Sequence, residues 1–431
     1  MAEDRVTGPD GSESAPRLAR PSGTTTRGTL AIVLLLGGGI AAAPAVVVLG
    51  LVGLVIMTVH GLWSRRGLRH VEYRRILATH RVLWGDSLPF SIEIWNRKRL
   101  PLAWIEAEDT LRPGLPITER PLEADDRADR LLNTWTLGSF ERVSRRYHVV
   151  AARRGVFELG PVQLRVGDLF GNEAATGQYE ARDSFLVRPR IVPVRERFVR
   201  QRWDGDLRAR HGLVENPALF AGVREYRPGD SLRRLHWKAT ARMGQPLSRR
   251  FEPARERDVM IVLDILEGGP RRFSTAGEDE QLEGLCVIAG SIAHSLERSG
   301  TSFGLAAAGF SGSIRPFAYL APSEAVGQLG RVLDLLARLS SVPSAEFDAL
   351  LIAMVRFLRP GTTILVLSGR APTHDLPALR RLVRSGFPIL VVACGPDATR
   401  HAALARQAGL PARAAELAGP WQTSRELILA G

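Results

Sequence analysis

The stretch that decides the fold of the largest part of this chain is Asp-Val-Met-Ile-Val-Leu-Asp at residues 258–264. Its apolar core, Val259 to Leu263, is uninterrupted, which is typical of a strand covered on both faces. The pattern then alternates between helices and further buried strands, which predicts an α/β doubly wound parallel sheet over residues 258–431. The expected elements are strands at 303–308, 362–367 and 388–393 and helices at 278–298, 323–339, 344–358 (capped by Ser344) and 376–385.

The carboxyl ends of these strands are the expected functional edge of the sheet. Ligands of doubly wound sheets bind there. Asp264 ends the first strand, and Ser368-Gly369-Arg370 follow a later one. We therefore expect these residues to lie at the functional edge.

The region before the sheet, residues 65–195, has the pattern of a small β-sandwich. Residues 89–95 alternate between apolar and polar positions, which is the period of a half-buried strand. Further short strands separated by turn residues indicate an antiparallel fold without strong helices. These strands are expected at 102–108, 144–152, 162–166 and 184–188.

An uncharged run separates the sandwich from the N-terminus. No Asp, Glu, Lys or Arg occurs from Gly28 to Ser64, a length that fits two short membrane spans with a turn near Pro44. Arginines flank the run on both sides, and basic flanks favour the cytoplasm. We expect a two-span hairpin at 28–64, a disordered cytoplasmic tail at 1–27 and a multi-pass protein of the cell membrane with its soluble domains in the cytoplasm. A single span, a cleaved signal peptide and a buried core helix are the alternatives.

The formal net charge of +13 comes almost entirely from arginine. Such a charge suits anionic lipid headgroups as well as nucleic acid. The sequence has no zinc-ligand spacing, aromatic RNA-binding motif or basic helix with heptads, so nucleic-acid binding is the weaker interpretation. The two cysteines, Cys286 and Cys394, lie in apolar runs and are expected to be buried thiols.

Between the two domains, residues 196–257 form a linker with an arginine-rich signature at 223–252. A turn is expected at residues 227–230, followed by a helix at 232–242. One interpretation is an inter-domain clamp anchored by Tyr226 and Trp237, and the other is a docking surface for a protein partner or for anionic headgroups. The signature residues are Arg224, Glu225, Tyr226, Pro228, Gly229, Asp230, Arg234, Trp237, Lys238 and Arg242.

This signature resembles that of the bacterial family called domain of unknown function 58. The matching residues are Arg224-Glu225-Tyr226, Pro228-Gly229-Asp230, Trp237-Lys238 and Ala241-Arg242. The resemblance extends to the two-span N-terminus, to the Gly-Pro-Val-Gln-Leu-Arg-Val-Gly-Asp-Leu-Phe-Gly stretch at 160–171 and to the strand ending at Asp264.

The resemblance implies a membrane-anchored protein with a β-rich segment and a von Willebrand factor A-like domain. Related proteins are commonly encoded beside MoxR-type AAA+ ATPases and transglutaminase-like proteins, which implies a chaperone-like or assembly role. A-type domains usually bind a divalent ion through Asp-x-Ser-x-Ser and a second Asp. Here Leu266 and Gly268 replace both serines and Gly369 replaces the second Asp. Because Mg²⁺ needs several oxygen ligands, we expect no metal cofactor, with Asp264 and Glu267 as a degenerate site and Asp264 paired with Arg370.

An enzyme remains an alternative, through Asp230, Ser231 and His236. Catalytic triads usually draw their members from separate elements, whereas these three lie within seven residues. A turn, its cap and a structural histidine explain them more simply, and the sequence has no phosphate loop, zinc helix motif or nucleophile elbow.

The sequence thus favours a membrane-tethered, non-enzymatic scaffold or adaptor that recruits a cytosolic partner. The resemblance supplies a MoxR-type ATPase as the first candidate. Partner contact is expected at Asp264, Glu267 and Arg370, and a metal-dependent protein-binding module is the alternative to this view.

Overall fold

A computed structural model of the chain describes residues 17–19, 44–111, 130–195, 215–226, 235–253, 258–265, 276–309, 317–340, 346–373 and 375–430. The chain divides into two units, Met1–Arg188 and Pro189–Gly431. From the sequence, the boundary is expected at residue 195 instead. The earlier boundary has a physical reason, because Val192 and Val194 are buried in the core of the second unit and Val194 bridges to Leu427.

The first unit contains one described helix and a series of strands. They are α1 (Pro44–Arg66), β1 (Arg17–Ala19), β2 (Val71–Leu77), β3 (Arg81–Leu83), β4 (Ser87–Asn96), β5 (Leu102–Leu111), β6 (Arg130–Leu137), β7 (Arg142–Val150), β8 (Gly155–Gly167), β9 (Glu173–Tyr179) and β10 (Asp183–Arg188). Strand β1 pairs antiparallel with β9, which corrects the expectation of a disordered tail for these three residues. The rest of the tail lies outside the described residues.

Two sheets pack face to face in this unit, which confirms the β-sandwich-like prediction. One has the order β2-β4-β7. The other has the order β1-β9-β8-β10-β3, with β5 joined to both β8 and β6. Along β4 the residues Leu88, Phe90, Ile92 and Ile94 are buried and their neighbours are not fully buried, as the alternating sequence predicts. Both sheets contribute to one apolar core.

One end of the sandwich adjoins the C-terminus of α1. The antiparallel register places the ends of β4 and β6, the starts of β7 and β9 and the end of β8 together. Three turns therefore lie at this end, at residues 97–101, 138–141 and 168–172. Lys98 Nζ in the first turn donates to the carbonyl oxygen of Gly67 just after α1, over 2.7 Å. We call this region the helix-proximal end.

Helix α1 covers the second half of the uncharged run. Its 23 residues carry no charge before Arg65, and only 6% of its most apolar stretch is buried. At about 1.5 Å per residue it is about 34 Å long, enough to cross a hydrocarbon core of about 30 Å. Within the described residues it is the one helix with this character. The expected first span, residues 28–43, lies outside them.

The second unit contains a hairpin and an α/β sheet. The hairpin strands are β11 (Glu215–Glu225) and β12 (Leu247–Pro253), and α2 (Trp237–Met243) lies between them. The remaining elements are β13 (Val259–Asp264), α3 (Ala276–Arg298), β14 (Phe303–Ala307), β15 (Ala318–Ser323), α4 (Gln328–Ala337), α5 (Phe347–Val355), β16 (Thr363–Ser368), α6 (Leu376–Arg384), β17 (Ile389–Ala393), α7 (Ala398–Gln407), β18 (Ala412–Leu417) and β19 (Leu427–Ala430).

The sheet of this unit has the order β15-β14-β13-β16-β17-β18-β19. Strands β14, β13, β16, β17 and β18 are parallel, and the two outer strands are antiparallel. Alternate residues of β13 enter two different cores: Ile261 packs with α3 and α4, whereas Val262 packs with α5, α6 and α7. Helices thus cover both faces, which explains the continuous apolar run of β13.

Several boundaries differ from the sequence expectation. The helix expected from residue 323 begins at Gln328, because residues 318–323 pair with β14 as strand β15. The helix expected from residue 232 begins at Trp237, because Leu235 bridges to Ser248 of β12 and residue 236 is the N-cap. Helix α5 begins after Glu346, and the expected cap Ser344 lies outside the described residues. Helix α7 and strands β18 and β19 were not predicted.

Candidate functional site

Asp264 and Arg370 meet at the carboxyl edge of the parallel sheet. Neighbouring strands β13 and β16 place Asp264 opposite Ser368 in register. The Ser368 hydroxyl donates to Asp264 Oδ2 over 2.8 Å, and Arg370 Nε donates to the same oxygen over 2.7 Å. The pairing of Asp264 with Arg370 that the sequence suggests is therefore present.

The guanidinium of Arg370 also engages a second carboxylate. Its Nη2 donates to both oxygens of Asp375, the N-cap residue of α6, over 2.9 and 3.0 Å. Burial by itself would lower the pKa of Arg370, but Asp264 and then Asp375 raise it above its ordinary value. We call this Asp264–Arg370–Asp375 arrangement the Arg370 bridge.

Gly369 leaves room for a side chain from helix α3. A Cβ atom at Gly369 would lie 1.9 Å from Nε2 of Gln281, so the amide of Gln281 fills the space above the end of β16. This is the strand end at which the family resemblance expects a second acidic ligand. In the part of the chain that the structure describes, no group of three or more His, Cys, Asp or Glu side chains could hold a metal ion. The expectation of weak or absent Mg²⁺ binding stays a prediction.

The residues expected to contact a partner at this edge differ in how exposed they are. The side chain of Asp264 is fully buried, so a partner could not touch its carboxylate, contrary to the expectation. Arg370 keeps 21% of its side chain exposed, but its Nε and Nη2 atoms already bind within the domain. Glu267, together with Leu266 and Gly268, lies outside the described residues.

The signature segment folds into the β11–β12 hairpin and the short helix α2. His236 is the N-cap of α2, and its Nδ1 accepts the backbone N–H of Ala239 over 3.1 Å. Gly244 ends the helix in the left-handed region at a φ of 68°. A capping role therefore accounts for His236, whereas Asp230 and Ser231, its partners in the hydrolase alternative, lie outside the described residues.

Exposure on α2 contradicts part of the clamp interpretation. Trp237 is 68% exposed and Met243 is 67% exposed, and Lys238 and Arg242 are exposed as well. None of the residues of α2 is buried, so Trp237 is not a packing anchor. We call Trp237, Lys238, Arg242 and Met243 the α2 surface.

Some of the other signature residues belong to the hairpin, and the rest lie outside the described residues. The backbone N–H of Tyr226 donates to the carbonyl oxygen of Pro246 over 3.0 Å, and Arg224 Nη1 donates to the carbonyl oxygen of Glu225 over 3.1 Å. Pro228, Gly229, Asp230 and Arg234 lie outside the described residues. The ion pairs expected of an Arg234 clamp therefore remain a prediction.

Comparison with protein families matches part of this chain. The family described as "Protein of unknown function DUF58" matches residues 222–341, from the hairpin through α4. The match includes α2 and β13, the strand that ends at Asp264, but not Arg370 or Asp375.

Two relatives extend the comparison. The chain is 28% identical over 262 residues to the uncharacterized protein YeaD of Bacillus subtilis (strain 168), covering 59% of this chain and 60% of YeaD. It is 39% identical over 72 residues to the uncharacterized protein Rv1480 of Mycobacterium tuberculosis (strain ATCC 25618 / H37Rv), covering 16% of this chain and 23% of Rv1480. The matched regions thus span less than two thirds of each relative.

Solved structures similar to this chain include two small domains. One is the CARDB domain of the PF1109 protein from Pyrococcus furiosus, at 10% identity and a TM-score of 0.18, covering 27% of this chain and 91% of that domain. The other is a cohesin module of a family 33 glycoside hydrolase from Clostridium perfringens, at 12% identity and a TM-score of 0.19, covering 27% of this chain and 96% of the module. Scores this low carry no argument about this protein.

Proposed function

We propose that this protein is a membrane-tethered, non-enzymatic scaffold whose cytoplasmic domains recruit a protein partner. Its anchor is a two-span hairpin of which α1 is the second span, with both flanks in the cytoplasm. Its parallel sheet belongs to a von Willebrand factor A-like domain. The order of parallel strands, the helices on both faces and Asp264 at the end of β13 support this assignment.

The observation that carries the proposal is the α2 surface. It combines an exposed aromatic ring and an exposed thioether, Trp237 and Met243, with the exposed cations Lys238 and Arg242. Trp, Met and Arg are enriched in protein–protein interfaces, and Trp is among the residues that most often dominate binding energy. The exposed cations suit a partner with an acidic surface. The surface also lies within the family-matched segment.

The Arg370 bridge has a different role in this proposal. Arg370 supplies one cation to the two carboxylates of Asp264 and Asp375, so the protein itself balances part of the negative charge at this edge. We assign the bridge to domain stability and the contact with the partner to the α2 surface. The partner proposed from the family resemblance is a MoxR-type AAA+ ATPase, and a transglutaminase-like protein is the second candidate.

The test is co-purification of the full-length chain with the MoxR-type ATPase of the same organism, in detergent and with a non-hydrolysable ATP analogue. Trp237→Ala is expected to weaken binding by about tenfold or more, as removal of a central aromatic anchor does. The matched control is Phe357→Ala, which removes another exposed aromatic ring of the same unit, 66% exposed, and should leave binding unchanged.

Two results would contradict the proposal. Equal binding by the wild-type chain and Trp237→Ala would exclude the α2 surface, and no binding of the ATPase by the wild-type chain would exclude this partner. A hydrolase activity that His236→Ala abolishes, while the far-UV circular dichroism of the chain stays unchanged, would favour the enzyme alternative instead.

A further inference from the structure

Three large apolar side chains are exposed at the helix-proximal end of the β-sandwich. Phe140 is 60% exposed, Leu169 is 61% exposed and Phe170 is 51% exposed. Phe140 lies in the turn between β6 and β7, and Leu169 and Phe170 lie in the turn between β8 and β9. Apolar groups of this size are usually buried, and the presence of three of them on two turns at one end of the sandwich points to a surface that covers them.

Hydrogen bonds hold these side chains outward. Phe140 has a positive φ of 60°, and its backbone N–H donates to the carbonyl oxygen of Lys98 over 3.2 Å. The carboxylate of Asp168 accepts the backbone N–H groups of Phe170 and Asn172, each over 2.9 Å. Hydrogen bonds therefore fix the backbone of both turns. The left-handed conformation of Phe140 costs free energy that these contacts offset.

The second turn is joined directly to α1. His60 Nδ1 lies 2.9 Å from Asp168 Oδ2, and Trp63 is 5% exposed within the sandwich core. Because His60 precedes Arg66 by six residues, it lies about 9 Å along the helix from the charged end. The turn at 168–171 is therefore level with the apolar part of α1, not with its basic end.

Exposed cations lie at the same end of the sandwich as these three side chains. Arginines follow α1 and occupy the turn after β4, and the exposed carboxylates at this end are fewer. The exposed arginines are Arg65, Arg66, Arg69, Arg97 and Arg99, of which Arg97 pairs with Glu72, and the exposed carboxylates in or next to the other two turns are Glu141 and Glu173. Exposed Phe and Leu side chains next to arginines are typical of segments that lie at the interface between a bilayer and water.

We infer that the helix-proximal end of the sandwich contacts the bilayer that α1 enters. Phe140, Leu169 and Phe170 insert at the boundary between headgroups and acyl chains, and the exposed arginines bind anionic headgroup phosphates. Apolar groups of interfacial segments reach about 5–10 Å into this boundary, which matches the position of the turn along α1. The inference rests on the proposed membrane anchor and adds a second, peripheral contact to it.

The test attaches an environment-sensitive nitrobenzoxadiazole probe to cysteines introduced one at a time into the full-length chain, whose two native cysteines, Cys286 and Cys394, are buried. The protein is reconstituted into vesicles of phosphatidylethanolamine and phosphatidylglycerol. Phe170→Cys and Phe140→Cys should give blue-shifted emission that is quenched by lipids carrying a nitroxide near the headgroup. The matched control is Ile76→Cys on β2, at a position 42% exposed near the opposite end of the sandwich. Its emission should be neither shifted nor quenched.

Flotation and carbonate extraction separate the possible failures. If the chain stays in the vesicles but the Phe170→Cys probe behaves like the Ile76→Cys probe, the inference is overturned and the anchor stands. If carbonate extracts the chain, the proposed membrane anchor and the inferred contact of the sandwich with the bilayer both fail. A blue shift without quenching by nitroxide lipids would mean that protein covers the turn, and would also overturn the inference.

Discussion

The guanidinium of Arg370 lies between two carboxylates at the strand ends where doubly wound sheets bind ligands. Arg370 and the amide of Gln281 together fill this edge of the sheet. Arg is suited to the task because its planar fork donates to two carboxylates at once and stays charged. Ser368 and Asp375 complete the arrangement by hydrogen bonds to Asp264 and to Arg370.

Replacement of Arg370 should convert this closed edge into a cation site. Arg370→Ala leaves the buried carboxylates of Asp264 and Asp375 uncompensated, and we expect a loss of about 2 kcal/mol, less than for a fully buried pair because Arg370 is 21% exposed. Added Mg²⁺ should partly restore the thermal midpoint of this variant, because the two carboxylates and Ser368 offer oxygen ligands.

Thermal unfolding with and without Mg²⁺ checks this expectation. The wild-type midpoint should not respond to Mg²⁺. The control is Arg359→Ala, which removes a 78% exposed arginine of the same unit. It should change neither the thermal midpoint nor its response to Mg²⁺. A wild-type chain that Mg²⁺ stabilises, with the effect lost in Asp264→Ala, would show that the native edge binds the ion.

Lys98 gives the first unit a dependence on alkaline pH. Burial lowers its pKa to about 8, from 10.5 in an exposed lysine. Between these values the unfolded chain binds more protons than the folded one, so the free energy of unfolding rises with pH from about 8 towards 10.5. Because Lys98 is partly exposed, we expect a gain of about 1 kcal/mol.

The measurement is urea unfolding of the wild-type chain and Lys98→Met at several pH values from 7 to 10. The difference in stability should move in favour of the wild type as the pH rises, because only the wild type carries this titrating group. A difference that stays constant with pH would show that the ammonium group is not desolvated.

At the scale of elements, an ionic cluster joins the two sheets of the sandwich. Arg75 of β2 donates to Asp109 of β5 over 2.8 Å and to Asp183 of β10 over 2.6 Å, and Tyr73 also donates to Asp109. Burial raises the pKa of Tyr73, and the neighbouring Asp109 raises it further. The tyrosine therefore remains a neutral hydrogen-bond donor inside the core.

Arg75→Met should destabilise the sandwich strongly. The side chains of Arg75 and Asp109 are 1% and 3% exposed, so the variant leaves a buried carboxylate without its cation, at a cost of about 3–5 kcal/mol. The control Arg142→Met breaks an exposed pair with Glu93 and should cost under about 1 kcal/mol. If the two variants lowered the urea midpoint by the same amount, the cross-sheet role of Arg75 would be contradicted.

Elements with a strong period were predictable, and weakly patterned ones were not. The alternation at residues 89–95 and the apolar run of β13 correspond to observed strands. Helix α7 buries only small side chains, Ala398, Ala402 and Ala405, which give little contrast with its exposed face. Strand β18 mixes Ala, Arg and Glu, and its place depends on pairing with β17 and β19 rather than on its own pattern.

At the scale of the whole molecule, the sequence predicted an apolar two-span hairpin, a β-sandwich and a parallel sheet, and the described residues contain one apolar helix, the sandwich and the sheet. The positions of Asp264 and Arg370 at neighbouring strand ends also predicted that the two side chains lie close together. The contributions of Asp375 and Gln281 were not predicted, because they depend on how α6 and α3 pack. The exposure of Trp237 was missed for a related reason: aromatic side chains are buried far more often than not.

The arrangement of the chain across the membrane is the last prediction. Basic residues flank both sides of the uncharged run, so a two-span hairpin keeps both flanks in the cytoplasm, whereas a single span must translocate one of them. Reporter fusions after residue 20 and at the C-terminus should both report the cytoplasm. Deleting residues 28–43 should leave α1 as a single span and move one of the two fusions to the other side. If the intact chain already reports opposite sides, α1 alone crosses the bilayer and the hairpin is wrong.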